Sequence, residues 1–164
     1  MTRNKFLKKT LNIFPEVIFN SYLVKLLINS IMKNGKKSVA EYIVYQSLKK
    51  VQTETKKDSL EILEKAIKNI KPQFKLSIIK IKGIKSNVPI ELNLYSQLNL
   101  AIKWLVGSAN QRNEKGFSNK LANEIIDASV YTGNSIKKRD QLHKQIEANK
   151  SYLYTIKPEI LNKY

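Results

Sequence analysis

Cysteine is absent from the 164 residues and histidine occurs once, at His143, so a disulfide framework and the usual zinc sites are both excluded. Apolar runs are short. None approaches the ~20 residues of a membrane-spanning helix, and the opening segment MTRNKFLKKTLNIF has neither a signal-peptide apolar core nor the Arg- and Ser-rich character of a transit peptide. The expectation is a chain made where it works, in a reducing compartment. Acid is also scarce: 13 Asp plus Glu stand against 30 Lys plus Arg, a net charge of +17. That exceeds what solubility requires and implies an anionic partner, with nucleic acid ahead of a membrane surface or an acidic protein. Arginine is itself rare among the cations, confined to Arg3, Arg112 and Arg139. Catalytic groupings are missing too, since no nucleophile with a base, metal set or dedicated carboxylate pair stands out. The expectation is therefore no enzyme, no cofactor, no metal and no small-molecule substrate.

The residues present divide into periodic segments long enough in total for one domain with a core. Residues 1–15 carry Arg3, Lys5, Lys8 and Lys9 with no acid and close on Pro15, which reads as a basic N-terminal arm. Tyr22, Leu23, Leu26, Leu27 and Ile31 share one helical face, with Asn20 or Ser21 as cap and Gly35 just past the end. A second helix from about Ser38 to Val51 is expected to bury Val39, Tyr42, Ile43 and Leu48. Asn34-Gly35-Lys36-Lys37-Ser38 has the look of a phosphate loop but lacks the upstream glycine that a P-loop needs. Asp58 caps a third helix, with Glu61 completing a capping-box pattern and Leu60, Leu63, Ile67 and Ile70 as its stripe before Pro72.

From about Gln73 the period changes to two. Phe74, Leu76 and Ile78 alternate with Lys75 and Ser77, and the doubled Ile78-Ile79 predicts a bulge before the alternation resumes. Gly83 turns the chain, and Asn87 to Leu92 returns as a partner strand with Pro89 at a non-bonding position. Seven lysines and no acid lie between Glu64 and Glu91. Ser96 is expected to cap a fourth helix that faces Leu98, Ala101, Ile102, Leu105 and Val106 inward, with Trp104 packing at the core edge. A polar connection from Gly107 to Gly116 carries Arg112 and Lys115, and Ser118 is placed as the next cap.

The stretch from Leu121 to Tyr154 organises the rest. Leu121, Ala122, Ile125, Ile126 and Ser129 form a core face ending at about Thr132, with Gly133 as left-handed C-cap residue. A final helix capped by Asn134 or Ser135 then sets Lys137, Lys138 and Arg139 in its first turns, where cations oppose the helix dipole unless an external polyanion compensates. Glu124 and Asp127, three apart, read as groups that neutralise neighbouring lysines and position the basic helix. His143 reads as a structural or phosphate-contacting group. After Tyr154 the residues 155–164 carry no periodicity and are expected to form an irregular tail.

This stretch resembles the family of the bacterial-type small-subunit ribosomal protein seven. The matching residues are Leu121-Ala122, Glu124-Ile125-Ile126-Asp127-Ala128, Gly133, Lys137-Lys138-Arg139-Asp140, His143 and Glu147-Ala148-Asn149. Upstream, Ile31-Met32, Gly35-Lys36-Lys37-Ser38, Ala40, Val88-Pro89, Glu91, Ala101-Ile102 and Trp104 keep the family order, so the likeness spans about Phe14 to Tyr154. The chain departs from the family at the hairpin tip, where Lys82-Gly83 and Ser86 replace a glycine pair and an aromatic. It also has Phe14-Pro15 where an aspartate usually precedes the proline. The resemblance implies a protein of the head of the small ribosomal subunit that binds head rRNA early in assembly. It further implies other small-subunit proteins as neighbours and a hairpin reaching toward exit-site tRNA and mRNA.

The fold expected is mainly α, one bundle of about six helices over residues 16–154 with a protruding β-hairpin at about 73–92 between the third and fourth helices. The rRNA-binding residues expected are Arg3, Lys5, Lys8, Lys9, Lys36, Lys37, Lys75, Lys80, Lys82, Lys85, Arg112, Lys115, Lys137, Lys138 and Arg139. An architectural DNA-binding protein with a basic β-arm, or a stand-alone RNA-binding regulator, stays open as the alternative. The abundance of Lys, Asn and Ile, all with A/T-rich codons, points to an organellar ribosome, mitochondrial before plastid, with a bacterial-type cytoplasm as the alternative.

Overall fold

The computed structural model describes residues 18–81 and 84–149; the expected basic arm and irregular tail lie outside them. Six helices are formed among the described residues: α1 (Tyr22–Ile31), α2 (Lys37–Thr55), α3 (Ser59–Ile70), α4 (Leu94–Asn110), α5 (Phe117–Ser129) and α6 (Asn134–Ala148). Strands β1 (Phe74–Ile81) and β2 (Ile84–Glu91) make one antiparallel hairpin between α3 and α4, the architecture expected from the sequence. Helix α5 lies at the centre and packs against α2, α3, α4 and α6. Its buried Leu121, Ala122, Ile125 and Ala128 meet Leu27 and Ile28 of α1, Leu63 and Ile67 of α3, and Ile102 and Leu105 of α4 in one core cluster. Trp104 is partly buried against that cluster.

Helix boundaries follow local chemistry. The Asp58 carboxylate accepts the Leu60 amide at 3.1 Å and starts α3. The cap of α4 is Asn93, whose side-chain oxygen accepts the Ser96 amide at 2.8 Å, so Ser96 lies within the first turn and is not the cap. Likewise Gly116, with φ at 82°, occupies the N-cap of α5, and Ser118 lies inside that helix. Helix α2 extends to Thr55, beyond the expected Val51, and ends on Lys56 in the left-handed region.

The buried face of α2 is the expected one only in part: Leu48 is buried and Ile43 half-buried, but Val39 and Tyr42 are not covered. Ala40, Val44, Ser47, Leu48 and Val51 are covered, whereas Val39 is 53% and Tyr42 64% exposed. Positions 40, 44, 47, 48 and 51 keep helical spacing without a break, but Ala40 and Ser47 are too small or too polar to announce the face. Their size suits a helix pressed against α1 and α5. The Ser47 hydroxyl donates to the Val44 carbonyl at 2.7 Å, so its burial leaves no polar orphan.

In the hairpin, Phe74 pairs with Glu91 and each following residue pairs one-to-one through to Ile81 with Ile84. The bulge expected at Ile78-Ile79 is absent, and the return strand begins at Ile84, earlier than Asn87. The two isoleucines occupy opposite faces: Ile79 is buried with Val88, while Ile78 is 70% exposed. The Leu92 amide donates to the Gln73 carbonyl at 2.9 Å, which makes 73 and 92 a hydrogen-bonded pair. Alternation then puts Leu76 and Pro89 at a non-hydrogen-bonded pair, where the missing proline N–H costs the ladder nothing. Gln97 Nε2 donates to the Leu92 carbonyl at 2.7 Å and ties the hairpin base to α4.

The α2 packing predicts a contrast between neighbouring positions. Leu48→Ala should cost about 2–5 kcal/mol, whereas Tyr42→Ala should stay within about 0.5 kcal/mol of the parent. Urea denaturation measures both, and equal losses would mean that the assigned face is wrong.

Candidate nucleic-acid interface

Helix α5 ends at Ser129, three residues before the position expected from the sequence. Tyr131, with φ at 61°, takes the left-handed place assigned to Gly133. Its amide donates to the Ala128 carbonyl at 3.3 Å and the Thr132 amide to the Asp127 carbonyl at 2.9 Å, closing a Schellman turn. Asn69 of α3 donates from Nδ2 to the Ala128 carbonyl as well, at 3.0 Å, and to that of Ser129 at 3.2 Å.

Gly133 is instead the N-cap of α6, with φ 94° and ψ 171°, a backbone region essentially reserved for glycine. Neither Asn134 nor Ser135 caps the helix. The buried Glu124 carboxylate, reaching from α5, accepts the Ser135 amide at 2.9 Å and the Ser135 hydroxyl at 2.7 Å through Oε1. Its Oε2 accepts Arg112 Nε at 2.8 Å. Arg112, only 18% exposed, also donates to the Asp127 carboxylate and to Glu114. Burial alone would lower its pKa, but hydrogen bonds to Glu124, Asp127 and Glu114 reverse this and raise it. The Asn123 amide foremost holds the Glu114 carboxyl below its ordinary range; burial opposes it, and Arg112 adds to the lowering. Glu114 therefore adds stability above the ordinary carboxylate range and loses it as pH falls through the lowered value.

The anion that meets the α6 dipole is thus an internal carboxylate, and no external polyanion is required for that purpose. With α6 starting at Asn134, Lys137, Lys138 and Arg139 lie beyond the first three positions, where the dipole is weaker. Arg139 turns back, donating to the Asn69 carbonyl and to its neighbour Asp140, with its guanidinium 5.9 Å from the Tyr131 ring centroid. Glu124 does position the basic helix, as expected, but it and Asp127 neutralise an arginine, not lysines.

The remaining expected cations fall into two groups joined by α4. Lys137 is exposed and Lys138 half-exposed on α6, which packs against β1 with its exposed Lys75 and Lys80. A Cβ on Gly107 of α4 would lie 3.8 Å from Lys138 Nζ, so that side chain crosses over α4. The adjoining Val106 and Asn110 border Lys36 across a groove, and exposed Lys115 follows in the α4–α5 connection. Lys37 is exposed and pairs with Glu41 at 3.1 Å. Arg3, Lys5, Lys8, Lys9 and Lys82, and the Lys85 side chain, lie outside the described residues. Sequence reasoning missed Asn69 and Gln97, because polar residues inside apolar stripes show no signal until their partners are placed, and it missed Asn93, whose local signal as an Asn three residues before Ser96 was outweighed by Ser96 as the nearer cap.

A helical body with one hairpin and lysines held outward on a clamped helix defines a class of protein built to meet a polyanion. The particular family follows from sequence comparison. Residues 2–150 match the family described as Ribosomal protein S7p/S5e. The small ribosomal subunit protein uS7 of Mycoplasma mycoides subsp. mycoides is 42% identical over 154 residues, covering 94% of this chain and 98% of that one. Small ribosomal subunit protein uS7c of Euglena gracilis is 43% identical over 152 residues, covering 93% and 97%. The chain belongs to the Ribosomal protein S7p/S5e family, whose members are structural components of the ribosome and not enzymes. The architectural DNA-binding alternative falls with that assignment.

Gly133 should tolerate no side chain. A Cβ there would stand 3.1 Å from Glu124 Oε1 and 3.2 Å from Asp127 Cβ, in addition to the backbone strain. Gly133→Ala should cost about 2–4 kcal/mol, combining that strain with a weakened cap. Thermal melting reads this directly, and an unchanged Tm would show that the clamp has slack.

Proposed function

We propose that this protein binds the rRNA of the small-subunit head, helps nucleate head assembly, and extends its hairpin toward exit-site tRNA and mRNA. Family membership supports the ribosomal role. The observation that carries the RNA contact is the pair Lys137 and Lys138, presented on a helix whose start is fixed by Glu124. A-form RNA hides its deep groove, so lysines meet phosphates while ribose hydroxyls and irregular junctions supply selectivity. The phosphate contacts are assigned to Lys36, Lys37, Lys75, Lys80, Lys82, Lys85, Lys115, Lys137 and Lys138, with Arg3, Lys5, Lys8 and Lys9 of the arm joining them. Arg112 and Arg139 serve from behind, holding α6 in place, because their guanidinium groups are already engaged by carboxylates and a carbonyl.

Other small-subunit proteins are its neighbours in this reading. The compartment we assign is an organellar ribosome, on the Lys-, Asn- and Ile-rich composition, with a bacterial cytoplasm as the alternative; relatives include both bacterial and chloroplast proteins.

Replacing Lys137 and Lys138 together by Gln tests the RNA contact. Stability should change by no more than about 0.5 kcal/mol. Affinity for small-subunit rRNA should fall, and the dependence of log affinity on log salt should flatten by about 1.4 to 1.8 for two lost phosphates. Titration at several salt concentrations measures this. An unchanged slope would remove these lysines from the interface.

A further inference from the structure

Two large apolar residues on the outside of α2 have no role in the core. Val39 and Tyr42 are exposed, and Val39 borders a groove of about 400 Å³ between the end of α1, the start of α2, the end of α4 and the start of α5. That volume falls in the roughly 300–1,000 Å³ range of small-ligand sites. Val39, Ile43, Val106 and Phe117 supply an apolar lining, Lys33 and Lys36 stand exposed at its border, and none of the described residues lining it is acidic. One ligand must therefore satisfy a flat apolar lining and two cations together. An unpaired nucleotide does so, because its base is apolar on both faces and its phosphate is attached within a few ångströms. An apolar protein segment would leave the two lysines unanswered.

We infer that this groove receives an unpaired base of the small-subunit rRNA, with Lys33 and Lys36 on the flanking phosphates. The inference rests on the rRNA-binding reading above and assigns that reading a specificity site distinct from the phosphate-binding lysines of α6. Base insertion adds selectivity because only a nucleotide free of pairing can enter.

The test fills the groove with Ser30→Trp and, separately, makes its lining polar with Val39→Asn. Both sites are exposed, so the core is spared. The full-length variants are titrated with small-subunit rRNA from Mycoplasma capricolum, whose uS7 is 42% identical to this chain, and the complexes are probed for reactivity at unpaired nucleotides. Each variant should bind about tenfold more weakly at every salt concentration. The salt slope should stay near the wild-type value, because Lys33 and Lys36 are unchanged in both variants and still meet backbone phosphates at the groove border. Protection of one or a few unpaired nucleotides should vanish in the groove variants and persist in the Lys137→Gln/Lys138→Gln protein. Wild-type affinity with all protections intact in both groove variants would overturn the inference, as would a change confined to the slope. So would nuclear Overhauser contacts, in the free protein, between the groove methyls of Ile43 and Val106 and the chain's own segment before Ile18. If wild-type protein shows no rRNA affinity, the rRNA-binding reading fails first and takes this one with it.

Discussion

A carboxylate with no solvent exposure, Glu124, fixes where α6 begins. Left alone such a charge would cost several kcal/mol. Here Arg112 neutralises it, and the Ser135 amide and hydroxyl use its other oxygen. The arrangement matters because α6 buries only Ser135 and Ile136. A helix this polar lacks the apolar stripe by which α5 or α3 is held, so hydrophobic burial alone cannot dock it. Polar contacts take over: Glu124 at its first turn, and Arg139 to Asn69 one turn later. Asn69 in turn binds the carbonyls that end α5. The end of one helix, the start of the next and the side of a third are thereby locked together by side chains that are nearly all hydrogen-bonded. Attachment by polar groups on one side leaves the other side free to carry lysines.

The two kinds of cation divide this work by geometry. Both described arginines, Arg112 and Arg139, face inward and spend their forked donors on several acceptors at fixed angles. A lysine could not replace Arg112, since one ammonium does not span Glu124, Asp127 and Glu114 together. The lysines at 36, 75, 80, 115 and 137 are exposed, where a mobile point charge suits a partner of many similar phosphates. Among the described residues, arginine thus stands only at internal joints that need a fork.

How much of this the sequence disclosed depended on residue size. The core faces of α3, α4 and α5 are marked by Leu and Ile at helical spacing, and they were legible. The face of α2 was not, because Ala40 and Ser47 carry it while the bulkier Val39 and Tyr42 point outward. The doubled Ile78-Ile79 imitated a bulge, although each residue simply takes its own face of an unbroken ladder. At the candidate site, the family motif located Glu124, Gly133 and the cations together. It did not show that Glu124 caps α6 or that Arg112 supports it, since those bonds join positions 11 and 12 residues apart. Glycine after a helix usually reads as its C-cap. The Schellman turn on Tyr131 displaced it by two residues and left Gly133 to approach the carboxylate closely.

The influence of Glu124 extends beyond α6. A two-stranded hairpin is marginal by itself, and this one is steadied by its buried Ile79 and Val88, by the Gln97 bond at its base, and by packing of β1 against α6. Helix α6 is thus a wall of the hairpin's seat as well as a cationic surface. Its position depends on a carboxylate anchored in α5, the helix against which α2, α3 and α4 all pack. Lys75 and Lys80 on β1 and Lys137 on α6 consequently refer their positions to the same internal anion. The positive charge of α6 and β1 is carried on elements joined by buried polar contacts, Glu124 foremost among them, and that is how a surface of lysines acquires a defined shape.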